Sequence, residues 1–388
     1  MRQLLNLREN KKIRLIALIL TLGICLGVTF EKISANNSTT QSFDQDVNLI
    51  KRTDTEQEVL QLVKKKHFIG TVTLVKNGHL VYQKGFGYAN KAQKIKNSGK
   101  TTFQVASIQK GMTAMMLMKV ALANHFSLDT KLSQFYPQIK NANNVTLRNL
   151  LTMTSGILDE KLPFHAMSDQ QFVNYTVKHA KIIKSHIGNF QYQPVNFVLA
   201  AGIIQKESKL SYYEYFNKVI KKPLGLKNTY FYQEIPQHKK QKAQGYTFSK
   251  KNPYKVRYEP TSGYTNQLGT GNLYMSNGDL YQTLHAFLSA KLLTPTQTAD
   301  LYSSGKTNSK YVSGLYILSR KFPGMASTKY EGYHFHGAEF GFETVGDISK
   351  DGQTAVIFSS NSVNWDANNN YSMDIPVYKK LISDKKIF

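Results

Sequence analysis

A mixed α/β (α+β) fold is predicted, with one antiparallel sheet built from both chain ends, flanking helices and an inserted, mainly helical subdomain. Three observations carry it. Strand-like runs surround Asn77-Gly78 near the start of the folded body, in "GTVTLVKNGHLVYQKGFGYAN". Strand signals return only after Tyr311, in "YVSGLYILS", "HGAEFGFETVGDIS" and "GQTAVIFSS". Between them, from Ser107 to about Leu301, the apolar spacing is mainly helical.

The elements follow in chain order. Arg2, Arg8, Lys11, Lys12 and Arg14 precede an uncharged apolar run from Leu15 to Phe30. A basic stretch before a short apolar one is an export signal or a membrane anchor, assigned to residues 1–35. The run has 16 residues, short of the ~20 that cross a bilayer as a helix. Cleavage after Ala35 and retention as an anchor both stay open. Export places the body on the outer face of the membrane or in the wall. The only cysteine, Cys25, lies in this segment, so the body has neither a disulfide nor a cysteine–metal site.

Residues 36–52 are polar and read as a linker, leaving 53–388 as the folded domain. Thr53, with Glu56 three residues on, starts a short helix. Asn-Gly suits the positive φ angles of a tight turn, so the next two runs form a hairpin. "NVTLRNLLTMTSGI", Asn144 to Ile157, reads as a helix closed by Gly156, and "NFVLAAGIIQKESK" as another ending near Lys209. Residues 228–275 read as irregular, and "YSMDIPVYKKLIS" as a terminal helix.

With 41% apolar residues the chain can bury a large core, which excludes disorder. Beyond residue 35 there are 44 basic and 23 acidic residues, a net +21. Such an excess attracts polyanions, and for an exported protein these are anionic wall polymers or lipid headgroups. The basic residues are scattered rather than gathered in a nucleic-acid motif, so no nucleic acid is expected.

"FQVASIQKGMTAMMLMKVALA", Phe103 to Ala123, is apolar nearly all round, yet Ser107 and Lys110 share one face of its first turn. A serine hydroxyl is a weak nucleophile until a base takes its proton. A lysine serves when neutral, and apolar burial favours that form. The helix N-terminus favours developing negative charge.

"FQVASIQKGMTA" resembles the active-site region of the serine β-lactamase and penicillin-binding-protein family, in its class C and carboxypeptidase/esterase branch. "VTLRNLLTMTSGI", "FQYQPVNFVLAAGII", "GTGNLYMSNGDL" and "FHGAEFGFETV" resemble further segments of that family in the same order. Together they run from about Phe68 to Asn361, with the nearest likeness to the teichoic-acid D-alanine esterases of Gram-positive surfaces. The resemblance implies a β-lactamase-like fold, Ser107 as acylated nucleophile, Lys110 as its base partner and Tyr192 as phenolic acid/base. It leaves open which of Lys110 and Tyr192 is the resting base. It implies an oxyanion hole from the backbone N–H groups of Ser107 and Ala338, and substrate contacts at His336, Gly337 and Glu339.

Two positions depart from the family's pattern. Its Tyr-x-Asn motif has Pro194 in third place, with Asn196 two residues on. Its Lys/His-x-Gly motif reads Phe335-His336-Gly337, an aromatic where the cation should be; a slipped register would bring in His336 or His334. The asparagine normally holds an amide-bearing substrate, and the cation a substrate carboxylate. A D-alanyl ester has neither peptide amide nor free carboxylate and presents an ammonium, which Glu339 can meet. The expected activity is therefore a serine ester hydrolase acting on D-alanyl esters of teichoic acid. A penicillin-binding D,D-carboxypeptidase or β-lactamase-like hydrolase, and a non-catalytic wall-binding protein of the same fold, are the alternatives. His334 and His336 alternate, but no Asp or Cys beside them completes a metal set, so neither metal nor cofactor is expected.

Overall fold

The computed structural model describes residues 42–49, 53–158, 163–307, 309–320, 330–363 and 369–387. The expected export segment, 1–35, lies outside them. Residues 42–49, within the stretch read as a linker, are seated on the folded body. Val47 bridges to Gln83, whose side-chain amide donates to the carbonyls of Phe43 and Gln45. Asp44 accepts hydrogen bonds from Ser276 and Asn228.

Helix α1 (Asp54–Lys65) opens on Thr53, whose hydroxyl accepts from the Glu56 N–H at 3.1 Å. Strands β1 (Gly70–Lys76) and β2 (His79–Phe86) form the expected hairpin, with Asn77 at φ 52° and Gly78 at φ 80°. The chain then leaves for the helical insertion. It contains α2 (Gln109–Ala123) and α3 (Val195–Ser208), which pack on each other. On return come β3 (Tyr311–Val312), β4 (Leu315–Arg320), β5 (Tyr330–Glu339), β6 (Phe342–Ser349) and β7 (Ala355–Ser360). Helix α4 (Asp374–Ser383) follows.

These strands make one seven-stranded sheet in the order β3-β4-β5-β6-β7-β1-β2, every pair antiparallel. The two chain ends meet where β1 pairs with β7, Val72 opposite Phe358 and Leu74 opposite Val356. Each face is covered. The larger core, with α2 and α3 at its centre, lies against one side and takes in Phe335, Ile348 and Ile357. A smaller core under α1 and α4 takes in Val72, Val345, Phe358 and Tyr378. A sheet buried on both faces reads as continuous apolar runs, as β7 does over Ala355–Phe358. In β1, Thr71 and Thr73 alternate with Val72 and Leu74 and are buried with them.

The helix expected over 144–157 is shorter. It covers Leu147–Leu151, and the chain then turns through Met153 at φ 56° before Gly156 at φ 69°. The segment read as irregular contains the strands Thr229–Phe231 and Leu273–Met275, which pair with each other, the second also pairing with Phe103–Gln104. Among the described residues no helix is long and apolar enough to cross a membrane.

Candidate active site

Ser107 sits in a 3-10 turn, Ala106–Ile108, that leads directly into α2. Its hydroxyl does not cap the helix. Ile108 holds the N-cap position, and Ser107 Oγ instead accepts a hydrogen bond from Lys110 Nζ at 2.9 Å. Ala106, one residue earlier, is held at φ 46°, where its Cβ crowds the backbone. Such strain persists only where the surroundings enforce it, and here it turns the serine out of the helix.

Lys110 is 1% exposed. Its Nζ makes a second hydrogen bond, to the Thr270 carbonyl at 3.1 Å. That carbonyl comes from "GTGNLYMSNGDL", where close packing demands glycine. A Cβ on Gly269, itself at φ +72°, would lie 2.8 Å from the Ala201 Cβ. Tyr192 completes the group, its ring centroid 5.4 Å from Lys110 Nζ and its edge against Tyr311.

Strand β5 closes one wall. Side chains alternate along a strand, so Phe335, Gly337 and Glu339 share one face, and His334 and His336 the other. Gly337 lies against the nucleophile turn. A Cβ there would fall 2.2 Å from the Val105 carbonyl oxygen and 3.0 Å from the Ser107 nitrogen. Glycine at 337 therefore lets the backbone of β5, with Ala338 next in line, run beside the backbone of Ser107.

A cavity of about 500 Å³ opens onto these groups, lined by Ser107, Lys110, Thr270 and Glu339 at one end and by Phe164, Phe172 and Tyr175 elsewhere. Burial pushes the Glu339 carboxyl up from its ordinary pKa, while the charges of Lys110 and Arg257 pull it back. Behind it, Glu259 is pushed up to about 8, mainly by burial and further by the charge of Glu339. Glu339 is thus the carboxyl that faces the cavity, with Lys110 lining the same cavity.

The structure gathers Ser107, Lys110, Tyr192, Gly337 and Glu339, and sends one expected residue, His336, elsewhere. His336 is not at the cavity. Its Nε2 lies 3.0 Å from Glu343 Oε1, and its ring packs edge-on against Tyr371. His334 lies on the same far face, and Phe335, which stands where the family's cation was expected, is fully buried in the larger core. Asn196 is drawn inward, where its Oδ1 accepts from Ser155 at 2.6 Å and its Nδ2 donates to the Gln193 carbonyl at 2.9 Å. The sequence reading missed the Thr270 carbonyl, although its glycine-flanked segment was the available signal. It also missed the aromatic lining from Phe164 to Tyr175, which no spacing marks.

The histidine pair holds a second surprise. Sequence neighbours supply no acid, but the fold brings Asp347 and Asp374 to His334, 13 and 40 residues further on.

Comparison with known proteins adds to the geometry. Residues 55–372 match the beta-lactamase family profile. A Bacillus subtilis protein named for penicillin binding, PbpX, is 30% identical over 325 residues, 81% of this chain and 76% of its own length. A teichoic acid D-alanine hydrolase of Staphylococcus aureus is 29% identical over 255 residues, 64% of this chain and 62% of its own length. The crystal structure of FmtA from Staphylococcus aureus superposes with a TM-score of 0.73 at 22% identity, covering 92% of this chain and 96% of that one. The D-amino acid amidase of Ochrobactrum anthropi SV3 superposes with a TM-score of 0.67 at 18% identity, covering 84% and 97%.

Proposed function

The chain belongs to the beta-lactamase family, whose members are serine hydrolases, and from that premise we propose that it is a cell-surface esterase removing D-alanine from teichoic acids through an acyl-Ser107 intermediate. The observation that carries the reading is the 2.9 Å contact between Lys110 Nζ and Ser107 Oγ at the floor of a cavity. That is within reach for direct proton transfer.

In the proposed reaction the Lys110–Tyr192 pair takes the hydroxyl proton as Ser107 Oγ bonds to the ester carbonyl carbon. The carbonyl oxygen becomes an oxyanion facing the backbone N–H groups of Ser107 and Ala338. The bond to the polyol oxygen then breaks, and the proton passes from the pair to that oxygen. A water then gives a proton to the same pair as its oxygen bonds to the acyl carbon; the bond from that carbon to Ser107 Oγ breaks, the proton returns to Oγ, and D-alanine is released.

Substrate choice rests on the two departures from the family's pattern. Phe335 offers no cation for a substrate carboxylate, and Asn196 is engaged by Ser155 rather than by a substrate amide. Glu339 faces the cavity in their stead and meets the alanyl ammonium. The net +21 beyond residue 35 attracts the phosphates of the polymer. The named activity of the Staphylococcus aureus relative is of this kind.

The test is release of D-alanine from alanylated teichoic acid by the purified protein. Wild type should release it and Ser107→Ala should not; equal release by both overturns the reading. The likeness to PbpX favours a second reading, penicillin-binding hydrolase. Covalent labelling of Ser107 by a fluorescent penicillin, with turnover of a D-Ala-D-Ala peptide and none of the ester, would establish it.

A further inference from the structure

On the face of β5 turned away from the cavity, three chemistry-bearing side chains converge from three elements. His334 comes from β5, Asp347 from β6, and Asp374 is the first residue of α4. His334 Nδ1 stands 2.9 Å from Asp347 Oδ1 and 2.9 Å from Asp374 Oδ2, and the three donor atoms all lie within 4.8 Å of one another. We propose that His334, Asp347 and Asp374 form a divalent-cation site of the zinc or manganese class, which pins the last helix to the strand behind the active site.

Geometry supports it first. In an octahedral site with bonds of about 2.1 Å, neighbouring ligands stand about 3.0 Å apart. The two measured separations, at 2.9 Å, match two edges of one face of that figure, and the third pair of donors lies within 4.8 Å.

Charge supports it next. Both carboxylates are fully buried, and His334 is 4% exposed. A buried ion needs a compensating charge, and one imidazolium balances only one of two carboxylates. A divalent cation balances both and leaves the imidazole neutral, with its lone pair on Nδ1 and its proton on Nε2.

An unused donor completes the case. Asp374 Oδ1 has no hydrogen-bond partner although Asp374 is 0% exposed. Buried carboxylate oxygens are ordinarily satisfied, and a cation held through both oxygens of Asp374 satisfies this one. One imidazole with carboxylate oxygens suits zinc or manganese; calcium takes oxygen ligands throughout. The site lies three residues before Gly337 on the same strand, so it steadies the segment that runs beside Ser107.

The experiment needs no knowledge of the substrate. The purified protein is stripped with a chelator, desalted, and given Zn²⁺, Mn²⁺ or Ca²⁺ singly. Metal content is read by mass spectrometry and stability by thermal unfolding. One equivalent of Zn²⁺ or Mn²⁺ should survive desalting and raise the unfolding temperature, while Ca²⁺ does neither. Asp374→Asn and His334→Gln should lose both effects, whereas His186→Ala, on an exposed turn, keeps them. An unchanged unfolding temperature with no retained metal in wild type would overturn the proposal and leave the three groups held together by protons alone. Full retention by Asp374→Asn would overturn it too, by placing the metal elsewhere. The wild-type comparison stands even if a variant fails to fold.

Discussion

On one face of β5 stand Phe335, Gly337 and Glu339, turned toward the nucleophile and its cavity; on the other stand His334 and His336, turned toward the first and last helices. The two sets interleave residue by residue, yet they do different work. The cavity face is shaped by fit, since Gly337 lets the backbone pass Ser107 and Phe335 fills the core. The far face is shaped by charge, since His334 and His336 answer the buried carboxylates of Asp347, Asp374 and Glu343. A histidine at the right place in a motif is therefore not a substrate contact until its face is known. The period of two decides it.

Substitutions that break this comparison should differ in size and in kind. The largest effect belongs to the catalytic pair. Lys110→Met should lower ester turnover by on the order of 10³-fold while the protein stays folded, as seen by circular dichroism, because only the proton acceptor is lost. Turnover within tenfold of wild type would remove Lys110 from the reaction.

Next comes the cavity face of β5. Gly337→Val places a Cβ 2.2 Å from the Val105 carbonyl oxygen, so strand and nucleophile turn must separate. Activity should fall by about 10²-fold or more, as expected when an oxyanion donor is displaced. Steady-state kinetics on a small ester would read it.

A smaller and more selective change is expected at Glu339. Glu339→Gln should lower kcat/KM on alanyl esters by roughly tenfold and leave an ester of a neutral acyl group unchanged, since only the ammonium contact is lost. Burial raises the Glu339 pKa, so the carboxylate is present only above that raised value. The wild-type preference for amino esters should therefore fade as pH drops through it, and the variant should show no such pH dependence. An equal loss on both substrates would make Glu339 a structural residue.

The smallest effect on turnover belongs to the far face. His336→Phe removes a partner from Glu343, which is fully buried. Stability should fall by about 1–3 kcal/mol, measured by denaturant unfolding, with kcat/KM within about twofold of wild type. A large kinetic loss would return His336 to the substrate site.

Much of this was legible in the amino-acid sequence because it is local. The Asn77-Gly78 turn, the Ser107–Lys110 spacing and the two sets of strand signals depend on neighbouring residues, and the sheet joined from both ends followed from them. The helix over 144–157 was overestimated because Met153 at φ 56° breaks it without a glycine or proline to announce the turn. The role of His334 was hidden because its acids lie 13 and 40 residues away, joined only by sheet register and the docking of the last helix. The Asn196–Ser155 hydrogen bond, 41 residues apart, was hidden for the same reason. Local chemistry can be read along the chain, whereas partners supplied by tertiary packing cannot.

The central claim is an alanyl group carried on Ser107. Intact-protein and peptide mass spectrometry, on protein quenched in acid seconds after mixing with D-alanylated teichoic acid, tests it most directly. The prediction is one alanyl group on the peptide containing Ser107, and none when Ser107→Ala is treated alike. Steady release of D-alanine with an unmodified Ser107 peptide, undiminished in Ser107→Ala, would contradict it.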